Sequence, residues 1–312
     1  MRVVRHLRDL PPSLRGVALA IGNFDGVHRG HQAVIAEAGR VARSLGVPAI
    51  VVTFEPHPRA VFRPDQPPFR LTPRRAKLEL FGALGVAATV VFRFNRGFAA
   101  IAAEDFILDM LVKGLDVRHI VIGRNFHFGR GRAGTAELLT EQGAKLGFGV
   151  TAVPPALDTT GEPYSSSRAR ELLQAGEPAA AAAILGRPFA IFGHVRHGDH
   201  RGRLLGFPTA NLALGDHLRP RVGVYAVRAR TEAGQVLAGV ANLGERPTVG
   251  GRDVRLEAHL FDFTGDLYGR RLDVALLHFI RPEQKFPDLD ALKRQIAADG
   301  ATARSLLGAP AP

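Results

Sequence analysis

Apolar strand-like runs alternate with amphipathic helical runs from residue 17 to residue 153, and the alternation ends around Gly186 and Pro188. Residues 17–21, 49–54, 86–92, 119–122 and 149–153 read as strands. Between the first two, Val34, Ile35, Ala38, Val41, Ala42 and Leu45 mark one face of a helix that Gly46 stops. Thr72-Pro73 opens a second helix carrying Ala76, Leu80, Phe81 and Leu84, and helices over 104–113 and 135–146 complete the series. Apolar strands separated by such helices form a doubly wound parallel sheet covered on both faces.

Two capped helices follow, over 165–175 and 178–185. After Pro188 the period changes to that of strands: 189–195, 222–229, 236–243, 254–260 and 272–279 are separated by Gly, Pro, Asp and Arg turns. They predict an antiparallel β-barrel or sandwich, the barrel being the one expected, with a terminal helix over 288–298 marked by Leu289, Leu292 and Ile296. The expected fold class is therefore α/β plus β, with domains at 1–186 and 187–312, and 312 residues suit two cores better than one.

The 41 Lys and Arg against 29 Asp and Glu give a net charge of +12, which favours anionic partners without choosing among them. Only five of the 41 are Lys (77, 113, 145, 285 and 293). The chain has no Cys, which excludes disulfides, thiolate nucleophiles and zinc fingers. No apolar leader and no uncharged run near the roughly 20 residues of a membrane span is visible. A cytoplasmic protein without a membrane partner is expected; its oligomeric state is not readable.

Gly22-Asn23-Phe24-Asp25-Gly26-Val27-His28-Arg29-Gly30-His31 lies between the first strand and the first helix. Ligands bind at that end of a parallel strand in open α/β sheets. Gly26 and Gly30 let backbone approach an anion, and the helix start presents unpaired N–H groups. His28 and His31 are spaced to hydrogen-bond phosphoryl oxygens as charge builds on them. A pair of capping histidines is the plainer account, but the glycines and the strand-to-helix position favour phosphate. This His-x-Gly-His element is shared by nucleotidyltransferases and class I aminoacyl-tRNA synthetases, which attack the α-phosphate of a nucleoside triphosphate. Gly22, Asn23, Phe24, Asp25 and Gly30 are accordingly candidate ATP contacts. Ser166, Ser167 and Arg168, at a later helix start, offer hydroxyls and a guanidinium to the remaining phosphates. There is no Lys-Met-Ser-Lys-Ser segment for tRNA charging and no P-loop. Gly129-Arg130-Gly131-Arg132-Ala133-Gly134 matches the dinucleotide fingerprint formally, but it does not follow directly from its strand and no acidic residue ends the next one. It reads as a ligand loop with Arg-rich walls.

In the second half, the loop from His197 to Asn211 is rich in Gly and Arg, and Gly198, Gly202, Arg203, Gly206 and Pro208 are candidate phosphate contacts. Thr209 and Asn211 are hard oxygen donors two residues apart, suited to Mg²⁺ that takes its other ligands from a nucleotide. In the strand over 254–260, period 2 sets Arg255, Glu257 and His259 opposite Val254, Leu256, Ala258 and Leu260. Glu257 on an open barrel face is a candidate base for a hydroxyl attacking a γ-phosphate.

Across nearly its whole length the sequence resembles the bacterial bifunctional riboflavin kinase/FAD synthetase family. The 22–31 segment, Thr53-Phe54-Glu55-Pro56-His57-Pro58, the 123–134 loop and Ser165 to Arg170 look like its adenylyltransferase motifs. The 198–211 run, Gly239 to Gly244, Arg246-Pro247-Thr248, Leu256 to His259, Asp266 to Gly269 and Phe279 to Phe286 look like its flavokinase motifs. The resemblance implies phosphorylation of riboflavin to FMN in the C-terminal barrel and adenylylation of FMN to FAD in the N-terminal domain. ATP, riboflavin and FMN would be the small-molecule partners, Mg²⁺ the cofactor, and nucleic acid no partner. It further implies that His28 and His31 contact the reacting phosphates, that Asn125, Phe126 and Arg132 lie near the flavin, that Arg203 assists phosphoryl transfer, and that Glu257 is the base. The family often has Asp at 125, Arg at 127, Thr at 167 and Gly at 200, where this chain has Asn125, His127, Ser167 and His200. Two other readings stay open at this point. One is a nucleotidyltransferase with another acceptor, which would not need Pro208-Thr209-Ala210-Asn211. The other is a basic nucleic-acid-binding protein, which would have to bind without Trp and with only three Tyr for base stacking.

Overall fold

The computed structural model describes residues 1–197, 207–248 and 251–308. The chain divides into two compact units, Met1–Pro67 with Arg74–Ser165, and Pro68–Pro73 with Ser166–Pro312.

The first unit is a six-stranded, all-parallel sheet. Its strands are β1 (Arg2–Val4), β2 (Ala18–Ile21), β3 (Ala49–Glu55), β4 (Ala88–Arg93), β5 (His119–Gly123) and β6 (Gly149–Val153), in the order β1-β4-β3-β2-β5-β6. β2 is buried on both faces because its side chains alternate between two cores. Leu19 and Ile21 join Phe106, Leu111 and Leu139, while Ala18 and Ala20 join Val34, Ala38 and Phe81. Helix α1 (Arg29–Leu45) buries the predicted stripe, Val34, Ile35, Ala38, Val41 and Ala42, and ends in left-handed Gly46 at φ 65°. The connections also contain α2 (Pro58–Phe62), α3 (Arg74–Ala83), α4 (Arg96–Ala99), α5 (Ala103–Asp105), which runs on as a π-helix over Phe106–Lys113, and α6 (Ala136–Leu146). The edge strand β1 and the short helices α2 and α4 were not expected from periodicity; three to five residues are too few to display one.

In the second unit, α7 (Ser166–Ala175) and α8 (Pro178–Leu185) precede β7 (Phe189–His194), β8 (Ala210–Ala213), β9 (Gly223–Thr231), β10 (Val236–Thr248), β11 (Gly251–Leu260), β12 (Arg271–Arg281) and α9 (Leu289–Leu307). The strands pair antiparallel in the order β7-β12-β9-β10-β11-β8. A bridge between Arg196 and Asn211, with the Arg196 N–H donating to the Asn211 carbonyl at 2.9 Å, brings the two edges together into a nearly closed barrel. β8 occupies the end of a segment expected to be loop. Helix α9 covers the outer face of β9 and β10, where Ala303 and Leu307 pack on Val224, Ala226, Val240 and Phe261.

Helix α9 is longer than the 288–298 expected and runs through Asp299-Gly300 to Leu307. The Asp299 carboxylate is committed elsewhere, to the Arg281 guanidinium at 2.7–3.2 Å and to Gln295 at 2.9 Å. The apolar spacing continues past Gly300 to Ala303 and Leu307, and that burial carries the helix onward.

Candidate active sites

Strand order reverses between β2 and β5: the chain builds outward from β2 through β3 and β4 on one side and through β5 and β6 on the other. The 22–31 loop leaves β2 at this switch point, where the ends of adjacent strands leave a crevice. The loop is held in costly backbone conformations. Phe24 at φ 51° and Val27 at φ 42° are non-glycine residues in the left-handed region, beside Gly26 at φ 85°. Both side chains are 1% exposed, so packing enforces what local preference opposes. The Phe24 ring meets His31 edge-on at 5.2 Å and Phe81 of α3 at 5.5 Å. The Gln32 side chain donates to the Val27 carbonyl at 2.8 Å.

His28 is the N-cap of α1, its Nδ1 accepting the His31 backbone N–H at 3.3 Å. With Nδ1 an acceptor, the neutral ring carries its proton on Nε2. The His28 and His31 rings stack at 3.5 Å and 24°. A Cβ on Gly30 would stand 3.2 Å from the His28 ring, and one on Gly22 would stand 3.0 Å from Phe24, so both glycines are close-approach positions. Asn23, Phe24, Asp25 and Gly30 thus form one structure with the two histidines, and Asp25 is buried within it.

A cleft of about 930 Å³ opens beside this loop, with Asn23 on its wall. Phe54, Phe62, Phe98 and Phe126 supply aromatic surface, and Arg59, Arg63, Arg96, Arg130 and Arg132 supply cations. Such a site suits a planar ring carrying an anionic tail. Asn125, Phe126 and Arg132 all line it, and Arg132 is left-handed at φ 63° within a loop that the pairing of Phe128 with Gly134 closes. The sequence names Phe126 for this wall and places Phe54 in a motif, but it does not point to Phe62, Phe98, Arg59, Arg63 or Arg96 as its partners, which come from elements far apart in the chain. It also assigns no role to Lys77, or to Glu55 of the Thr53–Pro58 motif, whose side chains pair beneath the 22–31 loop. The available signal was a Lys at 77 within the apolar stripe of α3, four residues before Phe81.

In the second unit, strand register places Glu257 directly opposite Asn211 on β8 and opposite Asn242 on β10. The three share one face, and Asn242 is in turn opposite Val224, which lies under α9. Glu257 therefore projects from the outer face of the barrel, between the buried Leu256 and Ala258. Asn211 is 7% exposed, and its amide Nδ2 is aimed at the Thr209 carbonyl at 3.4 Å. His259, on the same face as Glu257, bonds the Pro208 carbonyl through Nδ1 at 2.9 Å and packs edge-on against Phe207. Asn242 donates to Glu283 Oε1 at 2.9 Å. Gly198, Gly202, Arg203 and Gly206, and His200 with them, lie outside the described residues. Ser166, Ser167 and Arg168 form the first turn of α7 in the second unit.

A family model described as FAD synthetase matches residues 10–168, and one described as riboflavin kinase matches residues 185–307. The bifunctional riboflavin kinase/FMN adenylyltransferase of Escherichia coli (strain K12) is 44% identical over 313 residues, covering 100% of both chains. The protein of the same description from Pseudomonas fluorescens is 45% identical and covers 98% of each. Among solved structures, one titled as a macrolide-efflux protein from Streptococcus pneumoniae is 31% identical, covers 97% of this chain and 98% of its own, and superposes with a TM-score of 0.85. Among the described residues of the present chain, no helix is long and apolar enough to cross a membrane.

Proposed function

Because the chain belongs to the bifunctional riboflavin kinase/FMN adenylyltransferase family, and so phosphorylates riboflavin with ATP and adenylylates FMN to FAD, we propose that two separate groups of residues perform the two reactions, divided near Gly186. The observation that supports this reading is a grouping in each unit: His28 and His31, after the end of β2, beside an aromatic, Arg-lined cleft in one, and Asn211 of β8 opposite Glu257 of β11 in the other. ATP, riboflavin and FMN are the partners, and the cytoplasm, where ATP is drawn on, is the proposed location.

In adenylyl transfer, a phosphate oxygen of FMN attacks the α-phosphorus of ATP and pyrophosphate leaves. His28 and His31 hydrogen-bond the phosphoryl oxygens as negative charge concentrates there. Gly22, Asn23, Phe24, Asp25 and Gly30 shape the backbone around them. Asn125, Phe126 and Arg132 hold the flavin, and Ser166, Ser167 and Arg168 take the triphosphate tail on the strength of their residue chemistry alone. In the kinase, Glu257 accepts the proton of the riboflavin 5′-hydroxyl as its oxygen attacks the γ-phosphorus and ADP leaves. Gly198, Gly202, Arg203, Gly206 and Pro208 remain the proposed phosphate contacts.

Thr209 and Asn211 would hold Mg²⁺. They are hard oxygen donors, and Asn211 lies opposite Glu257, a donor set that suits an ion drawing its other ligands from phosphate and water. When bound, Mg²⁺ neutralises charge on the nucleotide phosphates.

Incubation with riboflavin, ATP and Mg²⁺, followed by separation of the flavins, tests the assignment. Glu257→Gln is expected to block FMN formation by about 10²–10⁴-fold yet still convert supplied FMN to FAD. His31→Ala is expected to do the reverse. Parallel loss of both steps in either variant, with folding intact, contradicts two separate sites.

A further inference from the structure

Lys77 lies on the inward face of α3 with a fully buried side chain. Its Nζ donates to the Asn23 backbone carbonyl at 3.2 Å and to Thr53 Oγ1 at 3.2 Å, and pairs with Glu55 Oε1 at 2.7 Å. Thr53 Oγ1 also donates to the Asn23 carbonyl, at 3.3 Å. An ammonium has three donors, and three acceptors meet it. A planar guanidinium fork does not match that arrangement. The point matters in a chain where only five of 41 Lys and Arg residues are Lys.

The Asn23 carbonyl belongs to the peptide that precedes Phe24, the first left-handed residue of the phosphate loop. Holding that oxygen fixes the peptide plane from which the φ of Phe24 is measured. One turn along α3, Phe81 is fully buried against the Phe24 ring, and that ring in turn abuts His31. Helix α3 thus grips the loop twice, by its carbonyl and by its aromatic ring. A conformation that local preference opposes persists only while its surroundings over-determine it.

We propose that Lys77, charge-balanced by Glu55, is a positioning residue for adenylyl transfer: it locks the Asn23 peptide and thereby the geometry in which His31 meets the reacting phosphate. Lys77 is shielded from solvent and acts through the loop, without touching substrate. The inference rests on the assignment of the 22–31 loop to adenylyl transfer, which His31→Ala tests separately.

The experiment compares wild type, Lys77→Met, Thr53→Val, Thr53→Ser and His31→Ala. It measures FAD formation from FMN, ATP and Mg²⁺, FMN formation from riboflavin by the same chains, and FMN binding from flavin fluorescence quenching. Displacement of a reacting group by about 1 Å costs roughly 100-fold in rate. Lys77→Met is therefore expected to lower kcat for FAD formation by about 30-fold, with FMN affinity and riboflavin phosphorylation unchanged. Thr53→Val should lose a smaller factor in the same direction, and Thr53→Ser, which keeps the hydroxyl, should match wild type. Wild-type kcat in Lys77→Met overturns the proposal. If Lys77→Met loses FMN binding through misfolding, Thr53→Val decides: a lowered kcat at unchanged FMN affinity supports positioning, and unchanged kcat or a parallel loss of affinity overturns it. If His31→Ala keeps FAD formation, the loop assignment itself fails; if His31→Ala loses it while Lys77→Met and Thr53→Val keep it, only this inference fails.

Discussion

Replacing Gly30 with Ala separates what α1 needs to fold from what the 22–31 loop needs for its proposed part in adenylyl transfer. Gly30 is the second residue of α1 and has no left-handed φ, so its backbone accepts a side chain. Helix propensity alone favours Ala over Gly by about 0.5–1 kcal/mol. Against that gain, the new Cβ would stand 3.2 Å from both Cε1 and Nδ1 of His28 and 3.4 Å from the Tyr164 carbonyl oxygen. Carbon contacts relax near 3.5–4.0 Å, so something must yield by a few tenths of an ångström. The His28 ring has little room to yield: it is 7% exposed, stacked on His31 at 3.5 Å and hydrogen-bonded to the His31 N–H. The clash offsets the propensity gain, leaving stability within about 1 kcal/mol of wild type. If 1 Å costs roughly 100-fold, a few tenths cost about 3–10-fold in kcat for FAD formation. Riboflavin phosphorylation by the same sample should be unchanged, which makes it the internal standard. Gly39→Ala serves as the control on the same helix, because its Cβ would meet only Arg43 Nη1 at 3.6 Å. It should raise stability by about 0.5–1 kcal/mol and alter neither activity. Gly30→Ala with full FAD formation would refute the link between the His28–His31 stack and rate.

Asp299→Ala removes the partner of an Arg281 side chain that is only 19% exposed, and should destabilise the second unit by about 3 kcal/mol, read from urea unfolding. The paired change Arg281→Met with Asp299→Leu should recover most of that loss. His119 is half-buried with Nε2 bonded to Thr151 Oγ1 at 2.8 Å; desolvation chiefly holds its imidazole below the ordinary 6.5, with Arg40 adding to the shift and Glu37 opposing it. Below pH 6.5 the unfolded chain takes up a proton that the folded chain resists, so this contribution is complete above pH 6.5 and lost as pH falls toward the lowered folded value. His119→Asn should flatten that part of the stability–pH curve, and an unchanged slope would contradict the assignment.

The two sites differ in how far residue order reveals them, and the difference follows from what each ligand part demands. A phosphate is recognised by backbone N–H groups and a few side chains at one strand-to-helix junction, so Gly22 to His31 is legible as a continuous stretch. Asn211 and Glu257 are distant in sequence, yet each lies on a strand of period 2, and register alone brings them opposite each other. A planar ring is recognised by faces, and in the proposed flavin cleft these come from Phe54 on β3, Phe62 on α2, Phe98 on α4 and Phe126 in the loop after β5. No local period relates those four, so only the parallel sheet and its switch point collect them. Lys77 shows the intermediate case. Its position on the inward stripe of α3 marks it as anomalous, but its acceptors, Asn23, Thr53 and Glu55, become its neighbours only when β2 and β3 pair. An anomaly of that kind, a charged residue where periodicity demands an apolar one, is what residue reading can flag before it can explain. On the proposed reading, the strained backbone of the 22–31 loop is restrained from below by a buried ammonium that meets Asn23, Thr53 and Glu55, acceptors an apolar side chain could not engage.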